Sequence, residues 1–408
     1  MTMLTRETLR LFRNSNAFLR NVNTQYDSQF AQTGAKIGNT LNIRLPVDYA
    51  VGMGPTITPQ NTVQTQTSLS ITNQLNVPMS FSSVDLTMSM DEFSDRIIAP
   101  AVNVLAGQAS ALLYSTIDQA LYGGQGPANG FVHNVDSNGN TITPGSSTIL
   151  QAGAILTNNG APEGAGKRIA MLHPNTEARL VSGLMGLFNP QRKISEQYRT
   201  GLLTEDTLGF DFFHDQPVPL HTTGSFTAAT INGANQTGTA LTVSGLTGTL
   251  NAGDIFTIAG VYAVNRVTKQ STGQLKQFVV TAPVASGATS IPIYPALTPT
   301  GGTAGTQVAY GTVVSSPANG AALTLVNNAG EIYRNNICFT PEAFTFATAD
   351  LDLPRGMNEA ARETYDGVSM RMLGQYNIMT DQWVTRLDLL CGMALLRPEW
   401  VVRLADQV

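Results

Sequence analysis

Four histidines and two cysteines are all that 408 residues offer for imidazole or thiol chemistry, so a catalytic or metal site would have to be built around very few side chains. The densest group is Asp211, His214, Asp215 and His221. Two imidazoles and two carboxylates could hold a divalent metal. Their spacing fits no helix-face motif, however, and Pro217 and Pro219 between the histidines favour an extended connector. Cys338 and Cys391 lie in apolar, strand-like surroundings and read first as buried free thiols, with a disulfide as the alternative. The stretch GAPEGAGKR approaches a phosphate-binding loop, but Ala161 stands where the first glycine is needed and Arg168 where a hydroxyl would meet the metal. Asp136, Asn138 and Asn140 begin like a calcium loop. Thr141 then replaces its glycine and Ser147 its closing glutamate, so a hairpin turn is expected there. Nucleophile elbows, His-Glu-x-x-His pairs and Cys-x-x-Cys pairs do not occur. The residues therefore point away from an enzyme, with no catalytic, cofactor or metal site expected.

Composition points to assembly instead. Charged residues make up 12% of the chain, about half the usual share of roughly 25%. Thr, Ser, Asn, Gln, Gly and Ala must cover the surface. A solvated monomer ordinarily carries more charge, so much of this surface is either buried against other copies or belongs to a secreted Thr/Asn-rich β-protein. Composition alone leaves both open. The net charge of −5 supplies no global basic field for nucleic acid or anionic lipid. The first twenty residues lack the apolar core of a secretory signal, and no apolar run approaches the ~18 residues of a membrane span. The expected compartment is cytosol-like, without a membrane partner.

The elements that would position any surface follow from periodicity. Residues 3–22 alternate at helical period, with Leu4, Leu11, Phe12, Phe18, Leu19 and Val22 on one side and Arg6, Arg10, Arg13 and Arg20 opposite. That basic stripe faces either phosphate, an acidic partner or plain solvent. Two alternating runs follow. Leu41, Ile43 and Leu45 lie in the first, and Leu69, Ile71, Leu75 and Val77 in the second. Together they read as a long β-hairpin with one apolar face. An isolated hairpin is marginal in water, and no flanking segment offers an evident sheet, so an arm covering a neighbouring subunit is expected. Ser89 to Glu92 then has the capping-box spacing. The helix it announces runs to Gly123-Gly124, and its low charge suggests protein on nearly all sides. Pro100 and Gly107 mark a flexure. Mixed helical and strand-like pieces fill 125–223. From 224 to 330 the style changes to short Thr/Val strands with Gly, Asn, Ser and Pro turns, a compact β-barrel. Mixed character returns over 331–408, where VSMRMLGQYNI places Met370, Met372, Tyr376 and Ile378 on one face. The flanking pieces read as halves of one α+β domain interrupted by an insertion.

Several local stretches carry a family resemblance: EQYRTG with Tyr198, Arg199 and Gly201; GFD followed by PVPL; GDIFTIAGV with Gly253, Asp254 and Gly260; QFVVTA; and LCGMALLRPE with Cys391, Arg397 and Glu399. In their order and spacing the chain resembles the major capsid (coat) proteins of tailed bacteriophages with the Hong Kong-type capsid fold, and most those of short-tailed phages that carry an inserted β-domain. The resemblance implies an α+β capsid fold divided into an N-arm (1–39), an extended hairpin loop (40–82), a peripheral domain with a spine helix (83–124), and a peripheral and axial part (125–223). The inserted barrel (224–330) and a second axial and peripheral part (331–408) complete it. It implies a structural protein that assembles in the host cytoplasm as hexamers and pentamers of an icosahedral virion shell around double-stranded DNA.

By the same resemblance the N-terminal arginines face the interior, where scaffold and later genome lie, with non-specific phosphate contact. A separate scaffolding protein and a portal protein are implied partners, and a decoration protein is an open one. The inserted barrel would aid folding of the monomer and brace neighbours. TINGANQTGTAL is uncharged where relatives can carry an acidic bridging loop, which leaves that contact unsupported. Two alternatives stand beside this reading. One is an encapsulin-like nanocompartment shell, and the other is a tail-associated or adhesin-type binding protein.

Overall fold

The computed structural model describes residues 2–23, 40–45, 47, 49, 66–82, 98–120, 130–164, 167–184, 207–301, 309–354, 356, 359–365 and 367–408. The capping box at Ser89, the stop at Gly123-Gly124 and the EQYRTG stretch lie outside these residues. Contacts divide the chain into two units, one of Met1–Leu45, Gln66–Tyr114 and Phe344–Leu396, the other of Pro46–Thr65, Ser115–Ala343 and Arg397–Val408. Helices and strands are numbered in chain order.

The first unit is a six-stranded antiparallel sheet with helices against it. Its strands are β1 (Thr40–Arg44), β2 (Gln66–Ser82), β16 (Phe344–Thr348), β17 (Glu359–Tyr365), β18 (Val368–Asn377) and β19 (Gln382–Leu395). They lie in the order β1-β2-β19-β18-β17, and β16 also pairs with β19. The hairpin arm therefore has a sheet of its own chain to join, contrary to the expectation that it must wait for a neighbour. β2 pairs with β19 from Ser82↔Gln382 to Ile71↔Gly392. Ile43, Leu69 and Ile71 are buried against Ala347, Ala394 and Leu396 of the same chain. Leu45, Leu75 and Val77 are half-buried, and the side chain of Leu41 lies outside the described set. At Gly392 the β2–β19 register shifts by a bulge. A Cβ there would stand 2.3 Å from the Ser70 carbonyl oxygen, so only glycine lets the two backbones approach.

The basic N-terminal stretch is not one helix. α1 (Thr2–Ser15) and α2 (Ala17–Arg20) are separated by Asn16, whose Oδ1 caps α2 by accepting from the Leu19 N–H at 2.9 Å. The same Asn16 donates through Nδ2 to the Ala106 carbonyl at 2.9 Å, and Ser110 Oγ donates to its Oδ1 at 3.2 Å. These bonds tie the N-terminal segment to α3 (Ala99–Ala120), and Phe18 stacks on Tyr114 with centroids 5.4 Å apart. Among its described side chains α3 buries Val102, Leu105, Ala106, Ala109 and Leu113 but leaves Pro100, Asn103, Val104, Gly107, Gln108 and Ser115 exposed. Within one chain the helix is covered on one side only, and an uncharged stripe faces outward. Small and amide side chains can lie in either setting, so low charge alone could not tell them apart.

The second unit holds a sheet and a barrel. The sheet comprises β3 (Phe131–Val132), β6 (Ile169–Leu172), β7 (Asp211–His214), β8 (Leu220–Thr222), β15 (Ile332–Phe339) and β20 (Val401–Gln407). Its order is β3-β20-β15-β6-β7, with β8 pairing a further stretch of β15. α4 (Ser146–Asn158) and α5 (Pro174–Leu184) cover one face, where Ile149, Ala152, Leu156 and Leu180 pack on Leu172, Cys338 and Leu404. β4 (Asn134–Val135) and β5 (Thr141–Ile142) form the hairpin expected in place of a calcium loop. In its turn Asp136 Oδ1 accepts from the Asn138 and Asn140 N–H groups at 2.8 and 2.9 Å.

The barrel is built from β9 (Ala228–Ile231), β10 (Gly238–Thr247), β11 (Ile255–Val264), β12 (Ser271–Val280), β13 (Ser290–Leu297) and β14 (Leu323–Leu325), in the order β14-β11-β12-β13-β10-β9. A bridge between Thr230 and Ala322, with the Ile231 N–H donating to the Ala321 carbonyl at 2.9 Å, closes it into a ring. Closure removes the free edges that a six-stranded open sheet would expose. Phe256, Ile258, Phe278, Ile291, Ile293 and Val313 fill its interior.

Candidate functional site

The residues with chemical potential are separated by the fold. His221 lies on β8, buried, with Nε2 2.9 Å from Asp254 Oδ1. His214 stands exposed on β7, with Nδ1 3.4 Å from Glu177 Oε2. Among the described residues no three His, Cys, Asp or Glu side chains converge as a metal site. Arg168, in the loop that resembled a phosphate cradle, donates to the carbonyls of Gly153 and Pro162 at 3.2 Å and to Thr157 Oγ1 at 2.9 Å. It is a strut between that loop and α4. Burial pushes the thiols of Cys338 and Cys391 up to about 12, which leaves both as packing groups rather than nucleophiles.

What the fold does build is surface and its support. On α1, Leu9 and Phe12 are buried while Arg6 and Arg10 are exposed, and Arg20 is exposed on α2. Arg10 is held by Glu7, with Nε to Oε2 at 2.9 Å, and the pair lowers the Glu7 carboxyl below its usual range. The side chain of Arg13 lies outside the described set. Tyr376 is exposed, as are Ile378 (81%) and Met379 (89%), at the turn between β18 and β19. The outer end of that strand therefore departs from the expected apolar face. Its turn lies beyond the last described β17–β18 pair, Glu359↔Gly374, and among the described residues no strand pairs with it on that side.

Support for the barrel comes from a neck that sequence reasoning did not single out. The chain leaves the sheet after Thr223 and returns at Glu331, and these adjoin through the Thr223 N–H donating to the Glu331 carbonyl at 2.9 Å. Buried Asp254 accepts from His221, from the Gly224 N–H at 3.0 Å and from the Asn251 N–H at 2.7 Å. Ile255 and Val279 of the barrel pack on Phe131, Tyr333 and Ala405 of the sheet. The Gln277 amide reaches the free edge of β3, accepting from the Phe131 N–H and donating to its carbonyl, both at 3.1 Å. Arg403 Nη2 donates to the Gly253 carbonyl at 3.0 Å. The alternation of β12 that sends Val279 to the sheet sends Phe278 and Val280 into the barrel core, and Lys276 with them.

Lys276 is fully buried, and burial lowers its ammonium from an ordinary 10.5 to about 7. Between those two values the unfolded chain holds a proton that the folded barrel has released. Stability attributable to this group therefore rises with pH from about 7 to 10.5 and is lowest below that window. Lys276→Met is expected to stabilise the chain most at and below neutral pH, with the gain shrinking as pH rises. Urea unfolding of variant and parent across that range measures it, and a pH-independent difference would contradict it.

A family model described as "P22 coat protein - gene protein 5" matches residues 14–404. A search of curated proteins finds no match. Among solved structures, the chain is similar to one titled for Mycobacterium phage Che8 (10% identity, 95% of this chain and 90% of that one, TM-score 0.46). It is also similar to the capsid structure of the cyanophage P-SCSP1u (11% identity, 93% and 87%, TM-score 0.47). A structure titled CUS-3 coat protein I-domain is 28% identical, covering 27% of this chain and 97% of its own length, with a TM-score of 0.18. The family match, which spans nearly the whole chain, carries the assignment and sets aside the nanocompartment and adhesin alternatives. The chain belongs to the P22 coat protein family: it is a major capsid protein of a tailed double-stranded-DNA phage, a non-enzymatic building block of the icosahedral virion shell, with the capsid fold and an inserted β-rich domain.

Proposed function

We propose that this coat protein assembles as hexamers and pentamers around a separate scaffolding protein, with a portal protein in the shell, and that its N-terminal arginines face the interior. The observation that carries the orientation is the division of α1 and α2, with Leu9, Phe12, Phe18 and Leu19 buried and Arg6, Arg10 and Arg20 outward. Arg6, Arg10, Arg13 and Arg20 are the arginines assigned to scaffold during assembly and to phosphate after packaging; Arg10 also pairs with Glu7, and the variant below leaves that pair in place. The hairpin of 40–82 is assigned as the arm that reaches an adjacent subunit, and half-buried Leu45, Leu75 and Val77 are the described apolar side chains it has left to offer there. The domain boundaries are those read from the sequence, with 224–330 as the inserted barrel.

Flexure of the spine helix is assigned to Pro100 and Gly107. Both are exposed, and nothing lies within 4 Å of where a Gly107 Cβ would stand. The experiment is duplex-DNA binding against salt for the parent and the triple variant R6Q/R13Q/R20Q. Each contacting arginine removed is expected to reduce the salt slope by about 0.9. An unchanged slope would withdraw the phosphate contact.

A further inference from the structure

The inserted barrel joins the body through two adjacent antiparallel connections at Thr223 and Glu331, an attachment about which a compact domain can pivot. The neck contacts through Asp254, Arg403 and Gln277 all lie at one end of the β11–β12 hairpin. β11 is 10 residues long, so its other end lies up to roughly 30 Å away. Between the two ends the barrel does not pack continuously on the body. A groove of about 350 Å³ opens there, lined by Gln151, Ala154, Ile155 and Asn158 of α4 and by Thr272 and Gln274 of β12. Contact resumes at the far end. Arg266, in the turn after β11, donates through Nη1 to Glu399 Oε1 at 2.5 Å.

Glu399 sits in the short turn Pro398–Trp400. Its Oε1 also accepts from Arg397 Nη1 at 3.1 Å, and the Arg397 guanidinium lies 4.7 Å from the centre of the Trp400 ring. Trp400 Nε1 donates to the Asn159 carbonyl, just past α4, at 3.3 Å. The turn is thereby fixed to the body while its carboxylate holds the barrel. Side-chain exposures of 16% for Arg266 and 13% for Glu399 place this pair out of bulk water, where a charge-assisted bond keeps its strength.

We propose that Glu399 is a positioning residue which locks the far end of the inserted barrel to the body, stopping pivoting about the neck and giving every copy in the shell the same barrel orientation. The orientation stands on the chain's own geometry; its use in the shell rests on the coat-protein reading.

The test is hydrogen exchange on the soluble full-length chain, followed by imaging of assembled shells, for E399Q, R266Q and R397Q. E399Q and R266Q should each speed exchange in segments 265–270 and 397–400 by about tenfold to a hundredfold, with the neck amides of Thr223 and Gly224 unchanged. R397Q, which keeps the Arg266–Glu399 bond, should leave segment 265–270 near the parent rate. In shells, E399Q should blur barrel density while the body stays sharp. R266Q alters only the barrel side and serves if E399Q does not fold. Unchanged exchange at 265–270 in the folded variants, or equal loosening of neck and far end, overturns the proposal. Failure of the parent to form shells would overturn the coat-protein reading instead, and the exchange result would still decide the lock.

Discussion

Replacing Asp388 by Ala is expected to destabilise the chain by about 3–5 kcal/mol. Asp388 is fully buried on β19, opposite Asn76 on β2 and Arg371 on β18. Its Oδ2 accepts from Arg371 Nη2 at 2.6 Å and Nε at 3.2 Å, and its Oδ1 from Arg386 Nε at 2.5 Å. Arg386 is nearly half exposed and can turn to water, but the Arg371 side chain is only 13% exposed. Removing the carboxylate strands that guanidinium in the sheet with one remaining described bond, to the Asp352 carbonyl. Such a loss is a large share of the roughly 5–15 kcal/mol that holds a typical domain. Asp388→Asn keeps an acceptor and the shape, and should lose less. Urea midpoints of the soluble chain measure both, and an Ala variant within about 1 kcal/mol of the parent would contradict the account.

The second large effect is expected at the base of the barrel. Gly248 has φ +85°, and a Cβ there would lie 2.0 Å from the Ser225 carbonyl oxygen. Across the same crossing, a Cβ on Gly224 would lie 2.1 Å from the Thr249 carbonyl oxygen. Two backbones meet with no room for a side chain on either. Gly248→Ala should cost on the order of 3 kcal/mol or more, from left-handed strain together with a clash against backbone rather than a movable side chain. Gly245 separates the two causes. It also has positive φ, +67°, but nothing lies within 4 Å of its Cβ position. Gly245→Ala should therefore show the conformational cost alone, about 1 kcal/mol. Equal losses in the two variants would mean that the close approach contributes nothing.

Much of the architecture was legible because it is written in local periodicity. The change at residue 224 from mixed to short-strand style marks the inserted barrel, and the alternation of Leu69, Ile71, Leu75 and Val77 marks β2. What periodicity does not carry is the identity of a distant partner. β2 finds β19 across roughly three hundred residues of chain, and nothing in an alternating run names the strand it will join. The hairpin therefore looked orphaned when it was not. The neck was illegible for a related reason. His221, Asp254, Gln277 and Arg403 belong to four separate strands or turns, and each alone reads as an ordinary polar residue. His221 drew notice as a potential ligand, yet its partner is a carboxylate 33 residues on. Ile378 continues the apolar alternation of β18, but it falls in the turn past the last described pair with β17, where its side chain is exposed. Glu399 lay within a family-like stretch, while its contact with Arg266 exists only in three dimensions.

The central claim is that this chain builds closed shells from copies of itself. The most direct measurement is sedimentation with negative-stain imaging of the protein expressed alone and then with its phage-encoded neighbours. The account predicts closed shells that become uniform in size when a scaffolding partner is present. A discrete small oligomer under both conditions would contradict it.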